Sequence, residues 1–384
     1  MAQKILYLVS EDWYFVSHRL PMARSAQTAG YEVHVATRIG DCADQIRREG
    51  FILHPIRWRR GSLSPIRLLA AIRETRRLYW QVRPDLVHHV AVVPAVIGSL
   101  AALGLPAVRL NALAGLGFTF TSNTAKARAV RPVANLLLGW LLRRPDTTVL
   151  VQNPDDYAVV SGLGVSGERI ALIPGSGVDT DVLTPIPEPA GPFTVGFVGR
   201  LLDDKGVRTL VRAHELLAKR SIAIRTLLAG EPDPSNPASI PNQVLDNWRL
   251  IPNLRLLGQV DDIRGVWAQA HVAILPSRRE GLPKSLLEAA ACGRPLIATD
   301  VPGCREIARN GVNAILIPAD SAEALAQAIE TLSKDRDLRA RFGSASRQIV
   351  TTEYSSALIG REIVALYSRL LGGSPSSKLG VETA

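Results

Sequence analysis

The chemistry in this chain is concentrated in a few short stretches. In SRREGLPKSLLEAAACGRP, residues 277–295, Glu280 and Glu288 stand around a Gly-Pro turn that opens an apolar helix. With that helix starting near residue 283, a rise of 1.5 Å per residue sets the two carboxylates on the order of 10 Å apart. That is too far to share one proton and suits two ends of a single ligand. Gly281, Leu282 and Pro283 lead into Lys284 and Ser285, whose backbone N–H groups lie at the positive end of the helix dipole, a natural phosphate site. A second cationic loop runs from Gly199 and Arg200 through LLDDKG to Lys205 and Gly206. There a glycine admits close backbone approach, and two cations can grip a diphosphate.

The first half of the chain offers imidazoles instead. DLVHHV places His88 and His89 on opposite faces of a strand, so that one points into the core and the other can reach a ligand. SEDWYFVSHRLP brings Ser10, Glu11, His18 and Arg19 to another strand-to-helix entry, where a structural role and ligand contact both stay open. No GxGxxG follows the first strand, against a nicotinamide enzyme, and the absence of GxxxxGK[ST] excludes a P-loop NTPase. The adjacent acids at 155–156, 203–204 and 261–262 form no Asp-x-Asp grip, so no metal is expected and charge neutralisation falls to Arg, Lys and the helix end.

These loops need strands to hold them. KILYLVS, EVHVAT, DLVHHV, AVRLNAL, TTVLVQN and RIALIPG recur through the first half; FTVGFVGR, IRTLLAG, LRLLGQV, VAILPS, PLIATD and AILIP follow in the second. Uninterrupted apolar strands alternating with helices indicate parallel sheets covered on both faces, and two series indicate two doubly wound α/β domains. TPIPEPAGPF, with four prolines in ten residues, marks the boundary. The expected division is 1–184 and 185–354, then a helix over 355–371 returning to the first domain and a disordered Gly/Ser/Pro tail over 372–384. The uncharged stretch 90–108 is long enough to span a bilayer, but Pro94, Gly98, Gly104 and Pro106 break it into a buried strand-helix-strand unit. Three cysteines without paired spacing fit a reducing cytosol.

Charge is uneven. Residues 1–150 hold 20 Lys and Arg against 9 Asp and Glu, a net +11; residues 151–384 hold 25 against 26, a net −1. The basic half points to an anionic partner. At 5% aromatics, with no basic run interleaved with stacking residues, nucleic acid is not that partner. SPIRLLAAIRETRRLYWQVR (64–83), with RWRR (57–60) as its basic neighbour, and KARAVRPVANLLLGWLLRR (126–144) are two segments that combine Leu, Trp and Arg at helical spacing. They read either as core-facing helices with a solvated basic face or as interfacial helices against anionic lipid.

Taken together, Glu280-x7-Glu288 in EGLPKSLLEAAACGRPLIATDVPGCREI, VGRLLDDKG and GQVDDI resemble the retaining GT-B glycosyltransferases of family 4. The resemblance spans nearly the whole ordered chain. It implies two Rossmann-like domains facing a cleft, and a nucleotide-sugar donor, with UDP the family tendency. Arg200 and Lys205 would bind the diphosphate, Glu288 the ribose hydroxyls, and Glu280 with residues 281–285 the donor sugar and phosphates. Val260 would lie near the base. The family histidine at the end of the fourth strand is represented by VHHV. His89 takes the catalytic place beside Glu280, although His88 is open to it, and His88, His18 and Arg19 are sugar or acceptor contacts. SEDWYFVSHRLP, AGLGFTF and VLVQNPDD resemble bacterial enzymes that extend undecaprenyl-diphosphate-linked glycans on the cytoplasmic membrane face. The implied reaction retains the α configuration and needs no metal. Competing readings are a GT-B enzyme of soluble sugars or a UDP-sugar epimerase, a glycoside hydrolase, and a membrane scaffold. A hydrolase needs its two carboxyls closer together and has no use for a diphosphate grip.

Overall fold

The computed structural model describes residues 2–58, 64–113, 136–234 and 236–372. The chain divides into two compact units, residues 1–176 with 356–384, and residues 177–355.

The first unit is built on a seven-stranded sheet. Its strands are β1 (Lys4–Glu11), β2 (Glu32–Arg38), β3 (Ile52–Pro55), β4 (Leu86–Val90), β5 (Val108–Ala112), β6 (Thr147–Val151) and β7 (Ile170–Leu172). They lie in the order β3-β2-β1-β4-β5-β6-β7, every pairing parallel. All residues of β4 and β6 are buried, as expected of strands covered on both faces. β3 escapes the reading of apolar runs because it is a short edge strand that leaves Ile52 exposed and ends on Pro55.

The second unit carries six parallel strands, β8 (Thr194–Val198), β9 (Arg225–Ala229), β10 (Leu254–Gly258), β11 (Val272–Leu275), β12 (Leu296–Thr299) and β13 (Ala314–Ile317). Their order is β10-β9-β8-β11-β12-β13. In each sheet the order reverses direction once, beside β1 and β4 in the first and beside β8 and β11 in the second. Ligands of open α/β sheets bind outside the carboxyl ends of strands at such a switch point.

The division falls at 176/177, ahead of the proline-rich segment, because that segment is fastened to the second unit. Ile186 N–H donates to Cys292 O, Arg294 donates to Pro187 O, and Glu188 pairs with Arg339 at 2.6 Å. The prolines stop strand and helix but do not make a hinge there. The helix Ser356–Leu370 belongs to the first unit and packs against the helix Leu20–Thr28. Gly360 is needed at that crossing, since a Cβ there would run into Ser25 Oγ. The stretch 90–108 forms the end of β4, the helix Val92–Ala101 and the start of β5. Among the described residues no helix is long and apolar enough to cross a membrane. Residues 59–60 of RWRR, 126–135 of the second basic segment, AGLGFTF (114–120) and 373–384 of the tail lie outside the described residues.

Candidate active site

At the second unit's switch point, the loops leaving β8 and β11 touch through their backbones. Gly206 adopts φ 68° and sits against Pro276 O, so that no side chain fits between the loops. Gly303, with φ 78°, likewise leaves no room for a side chain, since a Cβ there would run into the carbonyls of Glu280 and Gly281. Three loops are thus held against one another around Glu280.

The Glu280 carboxylate accepts from Lys205 Nζ at 2.6 and 2.8 Å and from Ser277 Oγ at 2.6 Å. Ser277 is fully buried, and its carbonyl accepts from the Thr299 hydroxyl at the end of β12. Glu280 is therefore aimed by a chain of bonds that begins inside the sheet. Two further ion pairs brace the loops: Arg279 to Asp204 at 2.7 Å and Arg278 to Asp320 at 2.8 Å. Arg200 follows Gly199 and pairs with Asp233 at 2.7 Å. Cys304 is buried nearby, and burial, reinforced by the Glu280 charge, raises its thiol well above the ordinary value.

The helix that follows is Lys284–Ala291, capped by Pro283 in an extended conformation. Its first backbone bonds are made by Leu286 and Leu287 N–H to Pro283 O, which leaves the N–H groups of Lys284 and Ser285 ahead of the ladder. Leu282 packs against the core. Glu288 is only 8% exposed, and burial raises its carboxyl pKa while Lys284 Nζ, 3.3 Å away, opposes the shift. A carboxylate buried at this depth is a poor solvated side chain and a good acceptor for ligand hydroxyls. Val260, after β10, is half-buried.

One switch point thus gathers Gly199, Arg200, Lys205, Glu280, Gly281, Lys284, Ser285 and Glu288. The sequence reading missed Ser277, Thr299 and Asp233, since a lone Ser, Thr or Asp at a strand end carries no spacing signal. The paired acids have local tasks: Asp156 folds back on Asn153, Asp262 caps the helix Ile263–Gln269, and Asp203 and Asp204 pair with Arg208 and Arg279. Among the described residues no group of three His, Cys, Asp or Glu converges as a metal site would require.

The first unit's switch point corrects the reading of its histidines. His89 is fully buried, with Nδ1 bonded to Asn111 Oδ1 at 2.7 Å and Nε2 to the Tyr79 hydroxyl at 2.9 Å. Burial pushes its pKa down to about 4, the Asn111 bond opposing, so the ring is neutral. Gly98 makes room for it; a Cβ there would overlap the imidazole. His88, on the other face, is equally buried, stacks on Tyr7 and bonds the Tyr367 hydroxyl at 2.7 Å. Neither ring reaches a surface, because β4 is the central strand of a sheet covered on both sides.

Arg19 is corrected likewise. It is 1% exposed, donates to His18 O at 3.2 Å, and its charge bears on Tyr7, His88 and Tyr367. The expected ligand contact is a core residue. Only His18 is half-exposed, stacked on Tyr14 and bonded to Ser17 Oγ at 2.6 Å. Near it, Glu11 pairs with Arg38 and Asp12 accepts from the N–H groups of Gly40 and Cys42. Ala91, just past β4, has φ 76°, an uncommon conformation for alanine and one that concentrates at functional sites.

Comparison with known proteins gives the family of both halves. A model described as "Glycosyl transferase 4-like" matches residues 4–153, and one described as "Glycosyl transferases group 1" matches residues 192–335. A Bacillus subtilis (strain 168) protein named as a glycosyltransferase, EpsD, is 29% identical over 385 residues, covering 96% of this chain and 97% of its own. The Campylobacter jejuni N,N'-diacetylbacillosaminyl-diphospho-undecaprenol alpha-1,3-N-acetylgalactosaminyltransferase is 24% identical over 368 residues, 92% of this chain and 95% of its own. Among solved structures, Anabaena Alr3699/HepE in complex with UDP and glucose has a TM-score of 0.77 at 18% identity, covering 95% of this chain and 99% of that one. The chain belongs to the family-4 glycosyltransferases of GT-B fold.

Proposed function

We propose that this glycosyltransferase moves a sugar from a UDP-sugar to a hydroxyl of an undecaprenyl-diphosphate-linked glycan, with retention, at the inner face of the cytoplasmic membrane. The observation that carries the donor half is the array at the ends of β8 and β11: Arg200 and Lys205, the helix end at Lys284–Ser285, and two carboxylates. As the bond from the sugar anomeric carbon to the β-phosphate oxygen breaks, charge develops on the diphosphate. Arg200, Lys205 and the helix end stabilise it in advance, the largest catalytic contribution. The acceptor oxygen bonds to the anomeric carbon on the same face, and its proton passes to the leaving phosphate oxygen, so UDP departs and no protein base is required. Glu280, fixed by Ser277, positions the donor sugar, and Glu288 takes the ribose hydroxyls. In this account Arg200 and Lys205 exchange their carboxylate partners for phosphate as the donor enters, with no metal needed.

Support for the acceptor half is the name of the Campylobacter relative, which specifies a diphospho-undecaprenol substrate, and the basic first 150 residues. Support for UDP is the UDP complex of the Anabaena protein. The test is a panel of UDP-sugars offered with an undecaprenyl-diphosphate-linked acceptor in micelles, followed by assignment of the new linkage. Transfer with an α linkage is expected. Transfer only to soluble sugars, or interconversion of UDP-sugars without transfer, would refute the acceptor assignment.

A further inference from the structure

The helix Pro65–Val82 shows solvent a surface that an ordinary core-facing helix does not. Ile66 is 81% exposed, Leu69 47% and Trp80 59%, with Arg73 and Arg77 exposed among them. Beside it, the chain leaving β3 and the helix Val92–Ala101 complete an open groove of about 1350 Å³. Its floor is apolar, made by Ile56, Trp58, Ala71, Leu78 and Ile97. Among the described residues its rim carries Arg57, Arg73 and Arg77, with Arg67 beside them, and Glu74 is the one carboxylate that lines it. Glu74 is itself bonded to the backbone N–H of Arg57 at 3.1 Å. Arg76, one position from Arg77, has a structural task, donating to the carbonyls of Ala101 and Leu103.

Trp58 gives an independent indication. It is 9% exposed and lines the groove, yet its indole Nε1–H has no hydrogen-bond partner. A buried donor left unpaired costs free energy unless an incoming acceptor satisfies it. Apolar floor, cationic rim and an unpaired donor together describe a site for a molecule with a hydrocarbon chain, ester oxygens and an anionic head.

We propose that this groove seats an anionic phospholipid of the membrane, its acyl chain on the floor, its phosphate among the rim arginines and an ester oxygen on Trp58 Nε1. The exposed Ile66, Leu69 and Trp80 enter the interface beside it. The proposal rests on the reading of this chain as an enzyme of lipid-linked acceptors, and it names the place and chemistry of the lipid contact.

The test is co-sedimentation of the full chain with phosphatidylcholine vesicles and with vesicles containing phosphatidylglycerol. Wild type, Arg73→Ala/Arg77→Ala and Trp58→Phe are compared, with a UDP titration of each. Wild type is expected to bind only the anionic vesicles. The arginine double variant should bind them roughly thirtyfold more weakly, about fivefold per charge, and Trp58→Phe more weakly too, all three keeping wild-type UDP affinity. Equal binding to both vesicles, or an arginine variant that sediments as wild type does, would overturn the proposal. So would an arginine variant that keeps vesicle binding but loses turnover of a polyprenyl-diphosphate acceptor, which would give the groove to the acceptor. Loss of UDP binding by wild type would instead sink the functional reading and leave the groove result to stand by itself.

Discussion

The two switch points share a topology and differ in how they hold charge. Beside β8 and β11, cations stand in loops and pair with carboxylates: Lys205 with Glu280, Arg200 with Asp233, Lys284 with Glu288. Beside β1 and β4, His88, His89 and Arg19 lie inside the core, bonded to hydroxyls, an amide and a carbonyl, and no carboxylate faces them among those bonds. Paired charge in a loop can exchange its partner for a phosphate. Polar groups sealed in a core hold one arrangement of the core. The same strand order thus gathers paired loop charges in one unit and builds a rigid frame in the other.

The largest effect that can break this contrast is on turnover. In the proposed reaction Lys205 stands where charge develops, and Lys205→Met is expected to lower donor turnover on the order of 10²–10³-fold. Steady-state release of UDP from the donor sugar measures it. A fall of less than tenfold would place the diphosphate elsewhere.

Acid sharpens the comparison next. His89 has a folded pKa of about 4 against an ordinary 6.5. On acidification the unfolded chain takes up the proton first, so this stabilisation is complete above pH 6.5 and is lost as pH falls toward 4. Over the full window it amounts to about 3 kcal/mol. Denaturation of wild type and His89→Gln from pH 7 to 4.5 should show a shallower loss in the variant. Parallel curves would mean that His89 is not the buried neutral group described here.

Tyr367→Phe isolates the frame. The hydroxyl serves both Tyr7 and His88, each bonded at 2.7 Å, and its loss leaves both unpaired. A stability loss of roughly 1–3 kcal/mol is expected, with UDP affinity unchanged. The smallest effect belongs to Ser277→Ala. Losing one bond to the Glu280 carboxylate should lower turnover by about tenfold or somewhat more, with little change in UDP affinity. If affinity and turnover fell equally, Ser277 would act on the fold of the loop and not on the aim of Glu280.

Legibility followed the same division. The strands of the second unit were readable because each is a continuous apolar run, and Glu280 and Glu288 because a fixed spacing beside a Gly-Pro turn fits a strand-to-helix loop. Ser277 and Thr299 were not, since their contact spans two strands and leaves no local pattern. In the first unit, alternation along a strand says that His88 and His89 face opposite ways. It does not say that both faces are covered; that depends on Tyr79 from one helix and Tyr367 from another, 288 residues further along the chain than Tyr79. The edge strand β3 lacked an apolar run for the same reason that it borders an exposed groove.

The central claim is that the loops after β8 and β11 hold the donor diphosphate. Calorimetric titration of UDP and GDP, without and then with magnesium, into wild type and Arg200→Ala tests it most directly. Micromolar UDP binding that ignores magnesium and is lost in Arg200→Ala is the predicted result. Binding of neither nucleotide, or UDP binding that Arg200→Ala leaves unchanged, would contradict the account.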